Sequence, residues 1–323
     1  MIQSVKKFII TIDTEGDGLW DWKQGDRITT ENAKYLSRFQ SLCNEFGFKP
    51  VWLTNYEMIN DPTYVDFIAE VERDKLGELG MHLHAWNNPP EYDIKTVQNG
   101  APYLIEYPVE IMEAKITVLT ELIKKRTGIT PISHRAGRWA MNDEYFRLLI
   151  KYGYQVDCSV TPHIDWGSSA GASFGAKGSD YSNAGEEPYW VDDANGDPTL
   201  LEVPVTIRRT HCPIPPDRMT PKNLLRSVYH AIKGNTLWLR PNGRNYKSMI
   251  KLADMIRKSG SDHIMFMLHS SELMPGGSPT FKTAESIEDL YMTLSKLFSY
   301  CARYFAGATL RDYFMEKKAN GSN

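Results

Sequence analysis

Short β-branched, apolar runs alternate with stretches of helical periodicity along nearly the whole chain, and this alternation constrains the fold more than any other feature. Residues 8–13 (FIITID) read as a strand. Residues 32–46 read as a helix, with Leu36, Phe39, Leu42 and Cys43 at helical spacing, Thr29 or Thr30 as the cap and Gly47 as the stop. Further strands are expected at 50–54, 78–86, 132–139, 155–160, 200–207, 237–240 and 263–269. Helices are expected at 62–75, 109–127, 142–152, 246–259 and 287–305, the first of them opening on a proline. Strands separated by helices cannot pair as hairpins, so the pattern implies parallel strands joined by crossovers. At 323 residues the expectation is a single α/β domain spanning 1–323.

One stretch breaks the rhythm. Residues 162–198 are rich in Gly, Ser and Asp and far longer than an ordinary connection. Such an insertion is either a cover over a site or a loose loop, and Tyr181, Tyr189 and Trp190 within it suggest a substrate lid.

Composition excludes several classes. With 37 Lys and Arg against 40 Asp and Glu, net charge −3, nucleic-acid binding through bulk basic charge is not expected. The four cysteines, Cys43, Cys158, Cys212 and Cys301, include no CxxC pair, so neither a disulfide framework nor a thiolate zinc site is expected. No apolar run reaches the roughly 18 residues of a membrane span. The apolar stretch after MIQSVKK is only FIITI and ends in acids, unlike a signal peptide. Reduced thiols and the lack of an export signal give the expectation of a cytoplasmic protein without an integral membrane segment.

In parallel α/β folds chemistry gathers where strands end. Four expected strand ends carry unusual polar residues. In TIDTEGD, Asp13 and Glu15 are two apart and share one face of an extended chain, and Asp17 continues the period. Two adjacent carboxylates repel unless a cation or a proton sits between them. In GMHLHAW, His82 and His84 likewise share a face, and two imidazoles with one carboxylate suit a divalent transition metal. In HRAGRW, Arg135 and Arg138 flank a glycine, and an arginine beside a carboxylate holds it ionised. In MFMLHSSELMPGG, His269 tops an apolar run where it can act as a general acid. Each motif alone has an ordinary structural explanation: a solvated turn, a packed histidine, an exposed ion pair. Their recurrence at the same end of successive strands argues for a metal-dependent hydrolytic site.

These motifs, in this order from Asp13 to His269, resemble those of the polysaccharide deacetylase superfamily, the NodB homology domain of carbohydrate esterase family four. The resemblance implies a distorted, incomplete (β/α) barrel of about seven parallel strands with a long loop insertion. It implies metal-dependent removal of an acyl group from a sugar. Asp13 takes the place of the catalytic base, Glu15 that of the carboxylate ligand and His82 that of the first histidine ligand. The family's second histidine lies four residues later; here that position is Trp86, and His84 takes its role. Arg135 stands where the family orients its base, and His269 where it protonates the leaving amine. The cofactor implied is a divalent metal, Zn²⁺ by ligand type. The forms HLHAW and HSSELMPGGSP resemble a subgroup linked to surface polysaccharide and lipopolysaccharide O-antigen assembly.

Eight tryptophans and 17 tyrosines are many for one domain, and flat rings at strand ends suit the apolar faces of sugars. Trp86, Arg138, Trp139, Asp157, Trp190, Arg240 and Glu272 are the candidate substrate contacts, with Trp52 and Trp238 assigned to packing. The expected partner is a nucleotide-linked or lipid-linked acylamino sugar, with no nucleic acid. Two other functions fit the same motifs: a C–N hydrolase on a non-sugar amide, and a carbohydrate-binding protein of this fold without catalysis.

Overall fold

In the computed structural model, residues 5–20, 23, 26–95, 97–98, 100–217 and 219–321 are described. Eleven strands occur among them: β1 Lys7–Thr14, β2 Pro50–Thr54, β3 Glu78–Leu83, β4 Ser133–Ala136, β5 Val156–Asp157, β6 Tyr189–Asp192, β7 Pro198–Glu202, β8 Ile207–Thr210, β9 Asn235–Trp238, β10 His263–His269 and β11 Ala306–Ala308. The main sheet runs β10-β1-β2-β3-β4-β5-β7-β6, and β11 pairs with the first half of β1. From β10 to β7 every pairing is parallel; β6 alone is antiparallel. The curled, open sheet is an incomplete (β/α) barrel, and its seven consecutive parallel strands are the number the motifs implied.

The period-2 alternation of β1 and β10 divides the apolar residues into two cores. Phe8, Ile10 and Ile12 of β1 and Ile264, Phe266 and Leu268 of β10 pack outward under the helices. Ile9, Met265 and Met267 point inward and meet Val51, Leu53, Val156, Val203 and Val205 inside the barrel. The helix Leu310–Gly321 closes the end from which the parallel strands start. Its Leu310, Tyr313 and Phe314 enter the inner core, and the backbone N–H of Arg311 donates to Glu78 Oε2 at 2.8 Å. The antiparallel pair β8–β9 lies along the seam, where Met267 N–H donates to Leu239 O at 3.2 Å and Leu239 N–H to Thr206 O at 3.3 Å.

The helices fall where caps and stops place them. Asp61 caps Pro62–Arg73, Asn142 caps Asp143–Lys151, and Gly128, at φ +75°, ends Val109–Thr127. Some strands are shorter than expected. β4 stops at Ala136 because Gly137–Trp139 turns into a 3₁₀ segment, with Arg138 at φ +56° and Trp139 at φ +63°. The 162–198 insertion folds back on itself in its first half, through bridges between Asp165 and Asp180 and between Ala170 and Lys177, and is sheet at its end, where β6 forms an antiparallel edge on β7. A helix at Pro221–Lys233 had no counterpart in the sequence expectations, although Thr220 caps it, Pro221 opens it and Gly234 ends it. Among the described residues, no helix is long and apolar enough to cross a membrane.

Candidate active site

Inward parity delivers the first group of side chains to the mouth of the barrel. Thr11 and Asp13 of β1, His82 of β3 and Arg135 of β4 all face inward, and Glu15 and His84 continue the same faces just past their strands. Asp13 and Arg135 form a buried ion pair, Nη1 to Oδ1 at 2.5 Å. The rest of the guanidinium donates to Thr11 Oγ1 at 2.8 Å and to Cys158 O at 3.1 Å, so its orientation is set. Burial alone would raise the Asp13 pKa; the Arg135 charge, with His82 and His269 nearby, overrides it and holds the carboxyl well below the usual range. Asp13 is therefore ionised in a site that water scarcely reaches.

Beside it, Glu15, His82 and His84 converge. Glu15 Oε2 lies 3.5 Å from His82 Nε2 and 3.2 Å from His84 Nε2, and the two imidazole nitrogens are 2.9 Å apart. His82 Nδ1 is 2.9 Å from the Arg135 carbonyl oxygen, which can only accept, so Nδ1 carries the hydrogen and Nε2 is the free lone pair of the neutral ring. The two imidazole Nε2 atoms and a carboxylate oxygen thus face one another at van der Waals distance or closer. The donor set is a zinc-type one, and ligands about 2.0–2.1 Å from a tetrahedral ion stand about 3.3 Å apart, close to this triangle. The residues fit a divalent cation on both counts. Burial, and then His82, lower the His84 pKa to about 3, so at neutral pH it is unprotonated. His82 moves the other way: burial is outweighed by Asp13 and Glu15, and its pKa is raised. His84 Nδ1 is buried with no hydrogen-bond partner among the described residues, and the Trp86 ring stands 4.4 Å from its ring.

His269, at the end of β10, faces the carboxylates from the other side, with Nε2 3.8 Å from Asp13 Oδ2 and 3.9 Å from Glu15 Oε1. Its orientation comes from Glu272, whose Oε2 accepts from the His269 backbone N–H at 3.0 Å and lies 3.1 Å from Nδ1. Arg240 Nη2 stands 3.5 Å from the same carboxylate oxygen. Burial would raise the Glu272 pKa, but Arg240 and His269 lower it. Glu272 Oε2 and Arg240 Nη2 both lie 3.1 Å from His269 Nδ1, so the carboxylate and the guanidinium together fix the ring and leave Nε2 turned into the site. Glu272, expected to touch substrate, is held against His269 Nδ1 and so positions that ring.

Of the other expected contacts, Trp86 lies on His84 and Trp139 lies 5.0 Å below the Arg135 guanidinium. Trp139 also stacks on Trp166 of the insertion, and both meet Trp238. Trp238, assigned to packing from sequence, belongs to this aromatic wall and lines a cavity of about 380 Å³ with Arg240, Asn245, Glu272 and Thr280. A larger cavity, about 470 Å³, lies away from the carboxylates, between the 213–215 loop and two helices.

Three expected contacts are not brought to the cluster. Arg138 turns away at its positive φ, donates to the carbonyls of Ala101 and Ala170, and lies 3.9 Å from the Tyr103 ring centroid. Asp157 has outward parity on β5 and is fully buried, with His134 Nδ1 at 2.6 Å and the Ser159 hydroxyl at 2.9 Å. Trp190 lies on the edge strand β6 and packs on Phe314, at the closed end of the barrel. Asp17 accepts from Thr29, Glu31 and Asn32 and so fastens the loop to the first helix.

Several residues were missed. Trp20 stands edge-on to His269, 4.7 Å between centroids. Ser270 ties the ends of β1 and β10 together, accepting from Glu15 N–H and donating to Glu15 O, both at 3.1 Å. Glu57 accepts from Gly16 N–H at 3.0 Å, and burial raises its pKa to about 7. A Cβ at Gly16 would fall 2.2 Å from Ile28 Cγ2, and one at Gly137 would fall 2.4 Å from His84 Cδ2. The glycine in HRAGRW was visible; that it makes room for His84 was not.

No family model and no curated protein matches the chain. Solved structures do. A Mycobacterium smegmatis protein described as a polysaccharide deacetylase is similar at TM-score 0.54 and 14% identity, over 99% of this chain and 93% of that one. A 4-alpha-glucanotransferase from Thermococcus litoralis is similar at TM-score 0.55 and 15% identity, over 98% of this chain but only 41% of that one. Family 4 carbohydrate esterase from Streptomyces lividans superposes more loosely, at TM-score 0.42 and 9% identity over 94% and 92% of the two chains. At these identities the likeness is one of fold, and the fold is the incomplete barrel of the polysaccharide deacetylases that the motifs of this chain resemble.

Proposed function

We propose that this chain is a metal-dependent N-deacylase of an acylamino sugar, most simply an N-acetyl sugar, acting in bacterial surface polysaccharide or lipopolysaccharide O-antigen assembly. One observation carries the reading: a buried aspartate kept ionised by Arg135 lies between a Glu–His–His triangle and an imidazole held by a second carboxylate. Glu15, His82 and His84 are the ligands for the cation, zinc by their chemistry. When bound, the cation supplies Lewis-acid polarisation of an acyl oxygen and lowers the pKa of water.

The chain's own residues do the rest. Asp13 accepts a proton from the attacking water, and Arg135 keeps it ionised and aimed. His269, its Nδ1 held by Glu272, presents Nε2 across the site and delivers a proton to the departing nitrogen. Trp86, Trp139 and Trp238 offer ring faces to a sugar. The polysaccharide subgroup rests on the HLHAW and HSSELMPGGSP motifs, and the nucleotide-linked or lipid-linked substrate follows from the expectation of a cytoplasmic enzyme.

The test uses chelator-treated full-length protein, with Zn²⁺ added back, and measures acetate and free amine released from N-acetylated sugar nucleotides and lipid-linked sugars. Asp13→Asn is expected to bind Zn²⁺ and lose turnover; His82→Ala is expected to lose both. Turnover only of non-sugar amides would replace the sugar reading with the C–N hydrolase. Absence of both metal binding and turnover would leave a carbohydrate-binding protein.

A further inference from the structure

The helix Pro221–Lys233 faces the wrong way for a globular protein. Its large apolar side chains point outward: Leu225 and Ile232 are each 73% exposed, Tyr229 58%, and Leu224 and Val228 each 49%. At about 100° per residue these five fall on one arc roughly 140° wide. The basic residues Lys222, Arg226 and Lys233 lie side by side along one edge of that arc. Asn223 and Ser227 occupy the inward side, where the Ser227 hydroxyl donates to the Ile214 carbonyl. A helix on a soluble domain ordinarily turns the apolar stripe in and the polar stripe out.

The surroundings carry a matching charge. Residues 209–251 contain nine Lys and Arg and one acid, Asp217, in a chain of net charge −3. That acid is used locally, accepting from the N–H groups of Tyr246 and Lys247 at 2.7 and 3.0 Å. Through Ile214, which Ser227 contacts, the helix adjoins the loop that borders the cavity of about 470 Å³, whose wall also holds Ile250, Lys247, Lys251 and Asp254. At 13 residues the helix is too short to cross a bilayer, which needs about 20. An exposed apolar arc with a one-sided basic edge is instead the pattern of a helix lying in the interface plane.

We propose that Pro221–Lys233 is a membrane-docking helix, which sinks Leu224, Leu225, Val228, Tyr229 and Ile232 into a bilayer surface while Lys222, Arg226 and Lys233 meet anionic headgroups. The occupant is a lipid surface rather than a second copy of this chain, because the basic edge complements anionic headgroups, whereas an identical helix, which has no acidic residue, offers it no counter-charge. In the chain, the helix is followed by β9 and then by Arg240 at the site. The inference stands on surface chemistry alone and does not depend on the reaction at the mouth.

Co-sedimentation of the full-length protein with vesicles tests it. Wild type is expected to sediment with phosphatidylglycerol/phosphatidylethanolamine vesicles at low salt and to remain in solution with pure phosphatidylcholine. The double variant Leu225→Glu/Ile232→Glu is expected to weaken binding by about tenfold or more, with an unchanged far-UV circular dichroism spectrum. Lys222→Ala/Lys233→Ala is expected to weaken it several-fold and to flatten its salt dependence. Equal binding to phosphatidylcholine, or undiminished binding by the Leu225→Glu/Ile232→Glu variant, overturns the proposal. So does a wild-type dimer that this variant dissociates while no vesicles are bound. The readout is sedimentation, so failure here leaves the deacylase reading untouched, and failure of that reading leaves this one standing.

Discussion

The ion pair between Asp13 and Arg135 supports both the fold and the chemistry, and a double-mutant cycle separates the two roles. Both groups are almost wholly out of solvent, Asp13 at 2% and Arg135 at 0% exposure, and their atoms meet at 2.5 Å. Breaking a buried pair by removing one partner costs about 3–5 kcal/mol, because the remaining charge is left uncompensated. Asp13→Asn keeps the shape and one acceptor for Nη1, so its expected loss is at the lower end, about 3 kcal/mol. Arg135→Met strands the carboxylate and also deserts Thr11 Oγ1 and Cys158 O, so about 4 kcal/mol is expected. The double variant removes both charges, and its loss should fall short of the sum by about 2–3 kcal/mol. The assay is urea unfolding of the four chelator-treated proteins at neutral pH. Additivity within about 0.5 kcal/mol would refute the pair as a coupled element. The same cycle reaches catalysis through pH. Losing the guanidinium raises the Asp13 pKa, so the acid limb of kcat/KM for Arg135→Met should move to higher pH. An unmoved acid limb would remove Asp13 as the base whose ionisation Arg135 secures.

Two other perturbations test neighbouring steps. Gly137→Ala puts a Cβ 2.4 Å from His84 Cδ2 and 2.5 Å from the Leu83 carbonyl oxygen, so the His84 ring must shift. The expected result is a stability loss of about 1–3 kcal/mol and a 10–100-fold weaker Zn²⁺ affinity by calorimetry; unchanged affinity would mean that His84 is not a ligand. Glu57, with its pKa raised to about 7 by burial, holds its proton more tightly folded than unfolded. Its contribution is intact near pH 4 and is lost as pH rises through 7, by at most about 3 kcal/mol and by less because the side chain is only half-buried. Glu57→Gln should therefore gain stability over wild type between pH 5 and pH 8 in urea titrations of chelator-treated protein, and a constant difference would refute the shift.

How much of this was legible depends on how each residue is held. β10 matches its expected range, 263–269, because its apolar residues on both faces and its bounding polar ends leave one strand assignment. The inward faces of β1 and β3 were equally legible, since a period of two assigns Asp13 with Glu15 and His82 with His84 without tertiary information. Arg138 was misplaced because its φ of +56° breaks the period two residues past the strand end, where parity no longer predicts direction. Asp157 was misplaced for the opposite reason: β5 is regular there, but parity points the side chain outward to His134. Trp190 looked like a lid residue because the insertion read as a loop, whereas β6 carries it to the closed end of the barrel. The helix Pro221–Lys233 had adequate cap signals, and its apolar stripe faces solvent.

The two-residue spacing of His82 and His84, where the family these motifs resemble spaces its histidines four apart, fits the local backbone. β3 is extended up to Leu83, so His82 and His84 fall on one face and both ring nitrogens reach the same point, 2.9 Å from each other. A side chain four residues after His82 lies beyond the strand, and here that position is Trp86, set against the His84 ring. Bringing the second imidazole this close to the strand has consequences that the surrounding residues absorb. Gly137 is needed because any side chain there would occupy the His84 ring position. The His84 pKa falls to about 3 because the ring is buried beside His82, which makes it a lone-pair donor that no proton competes for near neutrality. His82, whose pKa burial would lower but Asp13 and Glu15 raise, is the more basic of the two rings. The two-residue spacing therefore leaves the two histidines with opposite basicity while keeping their Nε2 atoms and a Glu15 oxygen in one triangle that could hold a metal ion.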